Sequence, residues 1–216
     1  ETEPVKNFVD LLCRRERDDE ELKAIAVLVA EYKRGGVYRW KQLADDIRIK
    51  QLGRKARELT LKNDEAAAKE HRIHQLRFEL TVFKERSERY PTDNRIKFEY
   101  AVRNFKAGRF DEAIPLFQMA RNDPKSRAAC GLYLGRCFFR KGYQVEAIAT
   151  LEEAVAGHNI PDDELAKTLL YWLGRAQEEA GRISEARATY GRLLQLDYNN
   201  RDVRARLAGL PAGGTV

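Results

Sequence analysis

Three glycines constrain this chain more than anything else in it. Gly108, Gly142 and Gly181 are spaced 34 and 39 residues apart, and each stands in the same local pattern. Seven residues before each lies a small residue: Ala101, Gly135, Gly174. Five residues after each lies an alanine, Ala113, Ala147 or Ala186, and four further on a large residue, Phe117, Leu151 or Tyr190. A pattern that returns at such a period marks one supersecondary unit repeated along the chain. Two antiparallel helices joined by a short turn need small residues where they cross, so that their axes approach to about 8–10 Å. Large apolar residues fill the space on either side. A glycine ends the first helix in a conformation that costs other residues more. One hairpin leaves an apolar face uncovered, so hairpins stack.

The three segments are FEYAVRNFKAGRFDEAIPLFQMA from Phe98, LYLGRCFFRKGYQVEAIATLEEA from Leu132 and YWLGRAQEEAGRISEARATYGRL from Tyr171. Tyr90-Pro91 precedes the first and Asp123-Pro124 closes it. This pattern resembles the tetratricopeptide repeat (TPR) family over about residues 91–210. The resemblance implies an all-α solenoid of about three helical hairpins plus a capping helix, acting as a protein-interaction scaffold. Departures are Leu193, where the first two repeats carry Ala120 and Ala154, and Asn104, where the family prefers a large aromatic. The joint HNIPDD, 158–163, is about five residues longer than the period requires.

Helix signals agree. Asp93 or Asn94, Ser126, and Asp162 or Asp163 are the expected caps of the three first helices. Pro115 is expected in the first turn of its helix, where a missing N–H costs little. RDVRARLAGL, 201–210, reads as a last amphipathic helix with Val203, Leu207 and Leu210 on one side and arginines on the other, a polar end to the stack. The tail 211–216 is expected to be loose.

The region 1–90 reads as helical. Val5 to Arg17 carries a stripe of Phe8, Val9 and Leu12, and 20–34 ends at Gly35-Gly36, as the first helix of a degenerate repeat would. Steps of three and four residues then persist through Trp40, Leu43, Ile47, Ile73, Leu76, Leu80 and Phe83, with no proline from 39 to 90. Asn63-Asp64 followed by Glu65 predicts a break, hence two long helices or one bent one. This front end loosely resembles those of large bacterial TPR proteins.

Composition excludes several classes. No run of about 18 apolar residues is present to span a bilayer. The three cysteines, Cys13, Cys130 and Cys137, read as reduced thiols of a cytoplasmic protein. A chain that opens on Glu1 and whose one methionine is Met119 is expected to be a piece of a longer or processed protein. His71 and His74 share a helix face, but no third metal ligand accompanies them. Ser87, Ser126 and Ser184 sit in cap or surface contexts, and no phosphate-binding glycine loop or nucleophile motif occurs. No catalytic, cofactor or metal site is expected. The net charge of +6 is densest at 39–62, with 8 basic and 3 acidic residues. That segment carries the alternative reading, nucleic-acid binding, but acidic residues interrupt it and Trp40 is its only aromatic.

In the TPR family the first helices of successive repeats line a concave groove. The resemblance places there Phe98, Val102, Phe105 and Lys106; Leu132, Arg136, Phe139 and Arg140; and Tyr171, Arg175, Glu178 and Glu179. Aromatic and arginine side chains dominate protein-binding hot spots. Family members that clamp a C-terminal carboxylate use a Lys and an Asn where this chain has Phe98 and Val102, so that mode is not expected. The expected occupant is a helix or extended peptide with acidic and apolar residues. Self-assembly through exposed repeat faces is the other structural reading.

Overall fold

The computed structural model describes residues 3–211; the tail expected beyond Pro211 lies outside the described residues. Eleven helices and no strand occur among them. The chain divides into two compact units, 1–82 and 83–216.

In the first unit, α1 (Glu3–Cys13) and α2 (Asp18–Gly35) are followed by α3 (Tyr38–Leu61) and most of α4 (Glu65–Arg89). The stripe read as running to Arg17 stops at Cys13, and Glu16 takes a φ of +52°. The reason is electrostatic: Asp18, Asp19, Glu20 and Glu21 favour the positive N-terminal end of a new helix. Val9, Ala24, Leu28, Trp40 and Ala44 form the core of α1, α2 and α3. The break between α3 and α4 falls at Asn63 (φ +57°), and the Asp64 carboxylate accepts from the Ala67 N–H at 3.0 Å. The region 39–90 is therefore two long helices.

The second unit is a stack of hairpins. They are α5 (Asn94–Lys106) with α6 (Phe110–Ala120), α7 (Arg127–Arg140) with α8 (Gln144–Gly157), and α9 (Glu164–Glu179) with α10 (Ile183–Leu196). The short α11 (Val203–Gly209) closes it. Gly108, Gly142 and Gly181 take φ of +74°, +80° and +73°, so the turn glycines are required by the backbone. At the crossings Ala101, Ala113, Ala147 and Ala186 are fully buried. A Cβ added to Gly135 would stand 2.5 Å from Leu151 Cγ, and one on Gly174 within 3.0 Å of three Tyr190 ring carbons. The small and large residues of the repeat thus meet face to face.

Two local expectations change. Asp93 and Asp163 do cap α5 and α9, accepting from Ile96 N–H at 3.1 Å and Ala166 N–H at 2.7 Å. Ser126, at the N-terminus of α7, instead turns its hydroxyl back to donate to the Ala120 carbonyl at 3.2 Å. Pro115 is the sixth residue of α6, past the first turn; it and Asp111, four residues earlier, both lie on the exposed side, where water can serve the freed carbonyl. Asn104 is fully buried, donates to the Tyr100 carbonyl at 3.0 Å, and leaves its Oδ1 without a partner.

The long joint has a use for its extra residues. The His158 ring nitrogen lies 2.9 Å from the Asp163 carboxylate, which also holds the α9 N-terminus. The Ala166 N–H first, then His158, keeps the Asp163 carboxyl below its usual range. A depressed carboxyl stabilises the fold above its unfolded-state titration and loses that contribution as pH falls through the folded one. Asp163→Asn keeps a capping oxygen but does not titrate, so it should lose less of its thermal stability than the wild type between pH 7 and pH 3. Equal losses in calorimetry would remove Asp163 from the acid response.

Candidate functional site

The first helices of the hairpins, α5, α7 and α9, lie side by side, and their shared face gathers arginine and aromatic side chains. The centre is Arg136 on α7. Its guanidinium carbon is 4.6 Å from the Phe105 ring centre on α5 and 4.7 Å from the Trp172 ring centre on α9. Tyr133, one turn earlier on α7, stands at 5.3 Å. One helix further on the arrangement repeats: Arg175 lies 5.6 Å from Phe139 and 5.9 Å from the same Trp172. Phe139 meets Trp172 edge to face at 5.6 Å. Cations held on aromatic faces gain about 0.5–2 kcal/mol each, more as they are desolvated.

Charge is what distinguishes this face. Among the described residues no carboxylate pairs with Arg136, Arg140, Arg175 or Arg201. Arg136 is half-buried, and its Nε is buried without a hydrogen-bond partner. Burial, followed by the positive charges of Arg140 and Arg201 and against the pull of Tyr133, lowers the Arg136 pKa from its ordinary value. Two acidic groups at the end of the stack are engaged elsewhere. Glu178 accepts from the Tyr190 hydroxyl at 2.7 Å and pairs with Arg206 of α11 at 3.1 Å. Asp202 accepts from the Tyr171 hydroxyl at 3.0 Å and pairs with Arg206 at 2.9 Å. Arg206 therefore points inward, not to the polar outer side expected of the last helix.

The twelve residues expected on this face divide in three. Phe105, Arg136, Phe139 and Arg175 come together as described. Phe98 and Val102 belong to the first-repeat core with Phe117, Leu132 to the second, and Tyr171 to the third. Lys106, Arg140 and Glu179 are exposed, and Glu178 is bound into the α11 network. Two members were missed, Tyr133 and Trp172. Each sits three residues before an arginine of the same helix, hence on the same side, and that spacing was the available signal.

Elsewhere the candidates are occupied. Cys130 and Cys137 are buried thiols, pushed up to about 11 and about 12 chiefly by desolvation. His71 Nε2 donates to the Leu52 carbonyl, 2.9 Å away. On α3, Arg54 pairs with Glu21 and Asp18, Lys41 with Asp45, and Lys55 and Lys62 with Glu58. Trp40 is only 6% exposed. No helix among the described residues is long and apolar enough to cross a membrane.

Comparison with known proteins supplies the frame. The sequence profile of the family described as tetratricopeptide repeat matches residues 81–127 and 146–201. No curated protein matches the chain significantly. Among solved structures, a thermophilic TPR protein of Thermus thermophilus is similar with a TM-score of 0.51 and 17% identity, over 94% of this chain and 97% of that one. The first TPR of Spaghetti (RPAP3), bound to the HSP90 peptide SRMEEVD, is similar with a TM-score of 0.48 and 23% identity, over 53% of this chain and 89% of that one. With the turn glycines, the small–large crossings and the stacked hairpins in place, residues 81–127 and 146–201 are tetratricopeptide repeats, and the stack has the fold of a TPR solenoid.

Proposed function

We propose that this chain is a non-catalytic, cytoplasmic scaffold that binds a peptide or helix of a partner protein on the α5–α7–α9 face, and that the partner segment carries acidic and apolar residues. One observation carries the reading: Arg136 is held between Phe105 and Trp172, partly out of water, with no carboxylate among the described residues paired to it. A guanidinium so placed is fixed in orientation, and aromatic and arginine side chains are the commonest anchors of protein interfaces. The nucleic-acid alternative has less support. Four of the eight basic residues of 39–62 are already in ion pairs, and Trp40 is inside a core and cannot stack on bases.

The test is a lysate pull-down with and without nuclease, comparing the wild-type chain with Arg136→Glu/Arg175→Glu. A bound protein that survives nuclease and is lost from the variant supports recognition on this face. Nucleic acid recovered equally by both baits would transfer the function to α3. Light scattering that shows concentration-dependent association of the chain alone would favour self-assembly.

A further inference from the structure

We propose that the α5–α7–α9 face reads an internal acidic pair, two Asp or Glu side chains on either side of one apolar side chain, in a segment of a partner protein. This rests on the peptide-binding reading above and deepens it. Two cationic positions, on adjacent helices, border one indole: Arg136 and Arg175 both lie within 6 Å of the Trp172 ring centre. A guanidinium fork matches a carboxylate with two parallel hydrogen bonds, and the rings beside each arginine fix the plane of that fork. The Nε of Arg136 is buried, so a bound carboxylate meets the outer nitrogens of its guanidinium. One carboxylate leaves the second fork unanswered, while Arg140 and Arg201 add further positive charge near Arg136. Two carboxylates at the end of the stack do not compete, since Tyr171, Tyr190 and Arg206 hold Asp202 and Glu178. Between the two forks the Trp172 ring offers an apolar seat. The donors are side-chain forks throughout, with the Phe98 and Val102 positions given to the core, so a free chain terminus is not needed.

Random 12-residue peptides displayed on phage, joined at their C-terminal ends to the coat protein so that no terminal carboxylate is free, test this against the full chain. Selections on the wild type and on Arg136→Gln/Arg175→Gln run in parallel. Enrichment on the wild type of peptides with two acidic residues flanking an apolar one is expected. In synthetic copies, replacing both acids by their amides should weaken binding by about tenfold or more, as loss of close charge pairs does. That arm changes only the peptide, so it holds even if the variant folds poorly. Enriched peptides without an acidic pair, whose binding is lost in Phe139→Ala, would overturn this inference and leave the peptide-binding reading intact. No enrichment on the wild type over the variant would overturn both.

Discussion

Phe117→Ala is expected to destabilise the second unit by about 3–5 kcal/mol, the range for emptying a buried aromatic site. Phe117 has no exposed surface and sits where two hairpins join. It stacks on Tyr133 of α7 at 5.3 Å and 7°, and takes Phe98 of α5 edge-on at 5.9 Å. Its loss therefore opens a cavity in α6 and loosens the seam to the next hairpin. Urea unfolding followed by circular dichroism measures the change. Met119→Ala is the control: two residues along the same helix but 48% exposed, it should cost less than about 0.5 kcal/mol. Similar costs for the two would show that the ring stack does not hold the seam.

Gly174→Ala should destabilise by about 1–3 kcal/mol, even though alanine is favoured over glycine in a helix by about 1 kcal/mol. The new methyl meets the Tyr190 ring, which cannot retreat: the residue has no exposed surface and its hydroxyl is tied to Glu178 at 2.7 Å. The double change Gly174→Ala/Tyr190→Leu should cost less than the two singles added, because the smaller side chain makes the room that the methyl needs. Gly191→Ala provides the opposite sign. No atom lies within 4 Å of a Cβ there, so propensity alone acts and stability should rise. Additive costs at 174 and 190 in thermal unfolding would contradict the crossing as the cause.

What could be read in the residues, and what could not, follows from the range of the forces involved. Gly108, Gly142 and Gly181 were legible because a left-handed turn is a local demand that few residues meet. Gly135 and Gly174 were legible because each is paired at a fixed distance with Leu151 or Tyr190. Ser126 was not, since the Ala120 carbonyl it chooses is set by how the chain leaves α6. The acidic run from Asp18 to Glu21 announced a helix start that a stripe of apolar residues obscured. On the α5–α7–α9 face, Phe105, Arg136, Phe139 and Arg175 followed from repeat position alone. Tyr171 and Glu178 also stand at such positions, yet bonds to Asp202 and Arg206, 31 and 28 residues away, take them into the end of the stack. Separations of that kind carry no periodic signal.

The three cores of the stack are linked only at their edges. Phe138 packs against the first and the second, and Val155 and Trp172 against the second and the third; among the described residues none packs against both the first and the third. A chain organised this way can change its copy number. A hairpin gained or lost in the middle asks only that two seams be remade, while the interior of every other hairpin keeps its neighbours. The seams bear the selection, and Trp172 belongs both to a seam and to the arginine face. A duplication that copied α9 would therefore copy half of a recognition surface with it, and the reach of the protein along a partner would grow in steps of one hairpin.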